Sequence, residues 1–223
     1  MAEGAPAAQP VDGGMAVVAL AGDPDVLNPL IRRSTAAGML LAELLDTLTE
    51  LDEDLEYAPR IARRWELADD GLSLRYDLKP WMWQDGVPLT AQDVVQSLAL
   101  FKDPAVGARS QGFYRDVLSA QALDDSTVVY RFARRLPDPI ARSAHAIVPW
   151  HLVKDLAPVG VDQWPLNQHP LASGPFMLEN WDYSHALTLA RNPRYSGTPA
   201  HLDRVMFRII KEPAARILAL EAG

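Results

Sequence analysis

The apolar positions of this chain change period several times, and each change marks an element. Met15-Ala-Val-Val-Ala-Leu20 is a short, β-branched run with the length of a buried strand. Gly22-Asp-Pro-Asp25 breaks it, because Gly frees φ, Pro fixes it and Asp caps a turn with its own side chain. From Thr35 to Leu48 the spacing turns helical, with Met39, Leu40, Leu44, Leu45 and Leu48 on one stripe and Ser34 or Thr35 as the N-cap. A helix-like piece follows over Ala58 to Arg64 and leads into Trp65-Glu-Leu67. Asp70-Gly71 is a strong hairpin signal. Behind it Leu72, Leu74, Tyr76 and Leu78 alternate with polar residues, as in a half-buried strand.

Thr90-Ala-Gln-Asp93 has the shape of a capping box with Asp in the fourth place. The helix it opens runs through Val94, Val95, Leu98 and Phe101 and stops near Asp103-Pro104. Val117 to Leu123 and Thr127 to Ala133 form a second hairpin around Asp124-Asp-Ser126. Leu136 to Pro170 carries six Pro and reads as loop with short helices. Strands are predicted over Phe176–Trp181, Ala186–Ala190 and Val205–Ile210, then a helix over Pro213–Ala222 with Pro in its first turn. The expected class is α/β, or α+β, with mixed sheets and no internal repeat.

Composition narrows the function. The 223 residues hold 21 Lys+Arg against 29 Asp+Glu, a formal charge of −8, with no long basic run. That balance argues against a nucleic-acid or anionic-membrane surface. Zero Cys removes disulfides, thiolate nucleophiles and Cys-containing metal sites. The 18 Pro are about 8% of the chain, above the usual ~5%, and favour strands and loops over a helical bundle. No stretch reaches the ~18 apolar residues of a membrane span. The opening Met1 to Gly14 reads as a flexible Ala/Pro/Gly leader without the basic and apolar regions of a signal peptide.

Catalytic constellations are absent from the pattern. The five His (145, 151, 169, 185 and 201) are never closer than six residues, so no helix-face metal spacing exists. Neither G-x-S-x-G nor a Gly-rich phosphate loop occurs, and Asp52-Glu-Asp54 and Asp69-Asp70 read as turn carboxylates. What stands out is loop-borne aromatic material: Trp81-Met-Trp83, Gly112-Phe-Tyr114, Trp150, Trp164 and Trp181. Flat rings on loops suit a ligand cleft, since they give contact area at little entropic cost.

The order of motifs resembles the extracytoplasmic solute-binding proteins of the peptide/nickel type, the receptors of oligopeptide, dipeptide and nickel ABC importers. Met15–Leu20 with Gly22–Pro29 is similar to their opening strand and turn. Tyr57–Leu72 resembles "P-x-L-A-x-S-W-E-x-S-x-D-G-L", and Trp83–Val95 resembles "W-x-D-G-x-P-[LF]-T-A-x-D-V-V". His169–Phe176 resembles "P-x-G-T-G-P-[YF]", Arg191–Tyr195 "R-N-P-x-Y", and Leu202–Ile210 "L-D-[RK]-[IV]-x-[FI]-R-[IV]-I". Ala172 departs from the family's Gly, and Ser196 from its frequent Trp.

The resemblance implies the N-terminal half of a type II periplasmic-binding-protein fold. Lobe one would comprise residues 15–52 and 167–223, with a small inserted α+β domain over 53–166 and the second lobe missing. It implies a non-enzymatic substrate-binding component, without cofactor or metal, that works outside the cytoplasm. Its partners would be a small peptide or similar solute and an importer permease, with no nucleic acid. Half a cleft implies weak or no ligand binding by the chain alone, and self-association through the face that lobe two would cover. A competing reading is a ligand-sensing module of the same fold in a regulator. The loop after the first strand nominates Arg32, Arg33 and Ser34 for the cleft wall, where an Arg can pair a carboxylate bidentately. Trp83 and Tyr114 are nominated from the small domain, and His145 from the residue before Ala146-Ile-Val148.

Overall fold

The computed structural model describes residues 11–222. Strand β1 (Met15–Leu20) leads through a long loop to helix α1 (Thr35–Leu44). The short strands β2 (Thr49–Leu51) and β3 (Tyr57–Pro59) pair with each other. They are followed by β4 (Ala62–Leu67), β5 (Ser73–Leu78), β6 (Trp81–Met82), β7 (Pro88–Leu89) and helix α2 (Ala91–Lys102). The hairpin β8 (Val117–Asp124) and β9 (Thr127–Phe132) precedes a loop-rich stretch with one short helix, α3 (Trp150–Val153). The chain closes with β10 (Phe176–Asp182), β11 (Ala186–Arg191), β12 (Arg204–Ile209) and α4 (Pro213–Ala222).

Two four-stranded sheets organise these elements. One has the order β1-β12-β11-β10 and is mixed, because β1 lies parallel to β12 while the other pairs are antiparallel. The second, β4-β5-β9-β8, is wholly antiparallel. Alternation explains β5: Leu74, Tyr76 and Leu78 are buried while Arg75 is exposed. Gly71 adopts φ 67° at the β4–β5 turn, a conformation Gly takes without a Cβ penalty. Ahead of α2, the Thr90 N–H donates to Asp93 Oδ2 at 2.8 Å, while Asp93 Oδ1 accepts the Trp150 N–H at 3.0 Å. One buried carboxylate therefore caps a helix and anchors the loop-rich stretch.

The helix expected over Ala58 to Arg64 is instead split between two strands, β3, which pairs with β2, and the start of β4, which pairs with β5. Its i, i+3 apolar spacing is short, and pairing with the Leu48 region and β5 supplies hydrogen bonds that override it. Helix α1 ends at Leu44 rather than Leu48, with Leu45 already extended (φ −126°, ψ 128°). Of the leader expected over 1–14, residues 1–10 lie outside the described residues. Asp12–Gly14 are tied down: Asp12 meets His201 at 2.7 Å, Gly13 N–H donates to the His201 carbonyl, and Gly14 O accepts from Asp203 N–H.

Buried apolar side chains from both sheets form one continuous cluster. Polar bonds lace the same junction. Trp81 Nε1 donates to the Ser173 carbonyl at 3.0 Å, and Ala172 exchanges two bonds with Gln84, both at 2.9 Å. Ser196 accepts the Met82 N–H at 3.0 Å, so the smaller residue here carries a bond that an indole could not accept. Among the described residues, no helix is long and apolar enough to cross a membrane.

Candidate functional site

The loop from Gly22 to Ser34 is held by one carboxylate. Asp25 Oδ2 accepts the Arg33 N–H at 2.7 Å, and Asp25 Oδ1 accepts both the Ser34 N–H at 3.0 Å and the Ser34 hydroxyl at 2.6 Å. Burial works to raise the Asp25 carboxyl, but the hydrogen bonds from Ser34 and Arg33 prevail and hold it below its ordinary value. Ser34 Oγ also accepts the Ala37 N–H at 3.1 Å, which makes it the N-cap of α1. Ser34 is therefore fully engaged in structure, and its part in the site is to fix the Arg33 backbone beside it.

This loop forms one side of an open cavity of about 1160 Å³. The loop at Ala105–Arg109 forms a second side, the Val159–His169 stretch a third, and the outer edge of β10 with Trp181 and Tyr183 a fourth. The aromatic corner is pinned by Asp23, whose Oδ1 accepts from Trp181 Nε1 at 3.3 Å and from the Ser184 N–H at 2.9 Å. Arg33 and Arg109 line the cavity, together with Gln168 and His169. Among the described residues, neither guanidinium makes an ion pair.

The two arginines nominated from the loop diverge. Arg33 faces the cavity, whereas Arg32 lies across the first turns of α1, its Nη1 2.9 Å from where a Cβ on Gly38 would sit. The Arg32 charge there acts on Tyr114, whose hydroxyl burial raises and the Ser110 hydrogen bond and Arg32 partly restrain. Tyr114 is 6% exposed and packs its ring 5.5 Å from Phe101 and 6.1 Å from His145. Its neighbour Phe113 is the ring that reaches solvent, at 42% exposure, with the Arg142 guanidinium 4.0 Å above it.

Trp83 and His145 are placed in the interior and present no surface to a cleft. Trp83 is 0% exposed, because the 83–87 turn folds its indole inward against His151, 6.4 Å away. His145 is 1% exposed and held at both nitrogens, Nε2 by the Tyr130 hydroxyl at 2.8 Å and Nδ1 by the Ala146 carbonyl at 3.1 Å. Burial pushes its imidazole down to about 4, so it is a neutral core hydrogen-bonding group. The apolar run after His145 that suggested a ligand-facing position is itself buried at Ile147 and Val148.

The sequence did not nominate Arg109, Asp25 or His169 for the cleft. Arg109 follows a turn with Gly107 at φ 64°, and nothing local marks it as a cavity residue. Asp25 reads as a turn residue until its partners eight and nine residues away are seen. Among the described residues, no three His, Asp or Glu are grouped to hold a metal.

Residues 56–223 match the Bacterial extracellular solute-binding proteins, family 5 Middle, and the chain belongs to that family. The oligopeptide-binding protein AppA of Bacillus subtilis is 28% identical over 223 residues, covering 97% of this chain and 41% of its own length. Its structure with a nonapeptide superposes with a TM-score of 0.90 at 26% identity, covering 96% of this chain and 44% of that one. The ABC transporter substrate-binding protein CtaP of Listeria monocytogenes gives a TM-score of 0.84 at 26% identity, covering 95% and 43%. MoaA of A. tumefaciens R10, solved with mannopinic acid, gives 0.82 at 26% identity, covering 94% and 43%. The chain thus spans less than half the length of these relatives.

Proposed function

We propose that this chain is the N-terminal part of the substrate-binding component of an ABC importer for peptides or similar small solutes. The observation that carries the reading is the family match over 56–223 together with an open cavity on this fold that is walled by the loop after β1. Residues 15–52 and 167–223 serve as lobe one and 53–166 as the inserted small domain. The Arg33 wall faces the solute, with Arg32, Ser34 and Tyr114 setting the loop and its neighbourhood. The receptor works outside the cytoplasm, performs no chemistry on its solute and hands it to a membrane permease. Closing such a cleft takes the solute out of water, so polar groups on both walls must satisfy it. One wall alone binds weakly. The exposed Ile217, Leu218 and Leu220 of α4 also offer a surface for self-association.

Calorimetry on the 223-residue chain with a random nonapeptide pool tests this. Saturable binding weaker than about micromolar is expected. No binding on the order of millimolar peptide contradicts solute binding, and affinity tighter than about micromolar contradicts the one-wall arrangement.

A further inference from the structure

Asp46 lies in the bend between α1 and β2 and is 2% exposed. Its N–H donates to Ser173 Oγ at 3.1 Å, and its Oδ1 stands 3.2 Å from Arg60 Nε. The same Nε is 3.0 Å from Glu50 Oε2, so one N–H is shared by two carboxylates. Half-buried Glu43 on α1 feels this guanidinium too, which works against the burial that raises its carboxyl. The second oxygen, Asp46 Oδ2, is buried without a hydrogen-bond partner, and so is the Tyr195 hydroxyl beside it. Burial raises that hydroxyl and the Asp46 charge adds to the effect, so Tyr195 keeps its proton.

The cluster bridges the two sheets. Arg60 stands between β3 and β4, ahead of the antiparallel sheet, while Tyr195 follows β11 of the mixed sheet. Trp81, just beyond β5, sets its ring edge-on to Tyr195 at 5.6 Å, and the Met82 N–H donates to Ser196 Oγ at 3.0 Å. Charge on Asp46 is costly here, because one buried oxygen has no donor and the guanidinium is divided. A proton removes that charge and makes Oδ2 a donor, for which the Tyr195 oxygen is an acceptor. We propose that Asp46, Arg60 and Tyr195 form a proton-operated joint between the sheets: proton uptake by Asp46 transfers Arg60 to Glu50 and directs the Oδ2 proton at Tyr195. The charged and titratable groups that act on Asp46 are Arg60, Tyr195, Glu50 and Glu43, and of the five side chains Asp46 alone is fully buried. The joint rests on this cluster and not on the identity of any solute.

The test follows NMR signals of the 223-residue chain from about pH 4.5 to 8, which brackets both forms of a carboxyl raised to about 6. The Asp46 side-chain carboxyl is expected to titrate near 6, with the Arg60 Nε–Hε and the Met82 and Ser196 amide signals moving at the same midpoint. Asp46→Asn holds the neutral form and should erase that transition from all three. Glu43→Gln should leave it in place, because the other raised carboxyl is not its source. Tyr195→Phe removes the acceptor, so Asp46 still titrates and Arg60 still responds, while the Met82 and Ser196 shifts shrink more than about twofold. The joint is overturned if Asp46 titrates near the ordinary 3.8, or if Met82 and Ser196 stay silent while it titrates. It is equally overturned if their transition survives Asp46→Asn or disappears in Glu43→Gln. Should Asp46→Asn not fold, Tyr195→Phe decides, and undiminished Met82 and Ser196 shifts there overturn the proposal.

Discussion

The backbone N–H of Gly174 donates to the carbonyl of Leu44 at 2.9 Å, and this contact ends α1. Ser173 N–H meets the same oxygen at 3.0 Å, and Ser173 Oγ accepts the Asp46 N–H at 3.1 Å. A Cβ on Gly174 would lie 2.8 Å from Glu43 O and 2.9 Å from Leu44 C, both backbone atoms that cannot swing aside. Gly174→Ala is therefore expected to destabilise the fold by about 1–3 kcal/mol, the usual range for forced overpacking. Urea unfolding monitored by circular dichroism checks it; a change within about 0.5 kcal/mol would remove the steric argument.

Gly38 presents the opposite case. It sits inside α1, and a Cβ there meets only the far end of the Arg32 side chain, which can move. Gly38→Ala should stabilise the helix by about 0.5–1 kcal/mol through backbone entropy and displace the Arg32 guanidinium. Thermal melting reads the first effect, and a loss of stability would show that Arg32 is more tightly fixed than its exposure implies.

Asp46 is 2% exposed, with Oδ1 3.2 Å from Arg60 and Oδ2 buried without a hydrogen-bond partner. Burial pushes its carboxyl up to about 6 against the pull of Arg60, and Glu50 and Glu43 push in the same direction as burial. The folded chain thus holds a proton that the unfolded chain, titrating near 3.8, has released. This group's contribution to stability is complete below about pH 4 and is lost as pH rises through about 6. Asp46→Asn should gain on the parent protein by about 2–3 kcal/mol between those limits, a figure set by some two pKa units. Denaturant titrations at both pH values measure it, and a pH-independent difference would contradict the assignment.

His145 works in the reverse sense. Its imidazole titrates near 4 when folded against 6.5 when free, so protonation favours the unfolded chain. Stability is full above about pH 6.5 and falls as pH drops toward about 4, by roughly 3 kcal/mol. His145→Gln keeps a partner for the Tyr130 hydroxyl and should abolish that acid-side loss. The Asp46 and His145 windows overlap with opposite slopes, so the parent curve is flattened and only the single variants expose each term. An unchanged acid slope in the Gln variant would place the titrating group elsewhere.

The elements β5, α2, β9, β11 and β12 were legible because burial follows one face of each, and α4 was legible from its Pro start although Ile217, Leu218 and Leu220 stand exposed. The segment Ala58 to Arg64 was not, since its strand character comes from cross-chain pairing rather than local alternation. The end of α1 was equally hidden, being set by Ser173 and Gly174 from 129 and 130 positions further along (173 − 44 and 174 − 44). At the site, Arg33 could be nominated from its place after the first strand. Trp83 and His145 could not be told from ligand groups, because polarity and aromaticity do not reveal which way a loop folds. Arg109 joins Arg33 only through the packing of separate loops.

The central claim is that the loop after β1 forms a solute-facing wall together with the Ala105–Arg109 loop. Hydrogen–deuterium exchange of the chain with and without the nonapeptide pool tests it most directly. Slower exchange in residues 24–33 and 105–109 on peptide addition, with the β4-β5-β9-β8 sheet unchanged, is the predicted result. Unaltered exchange in both loops while peptide is bound would contradict the account.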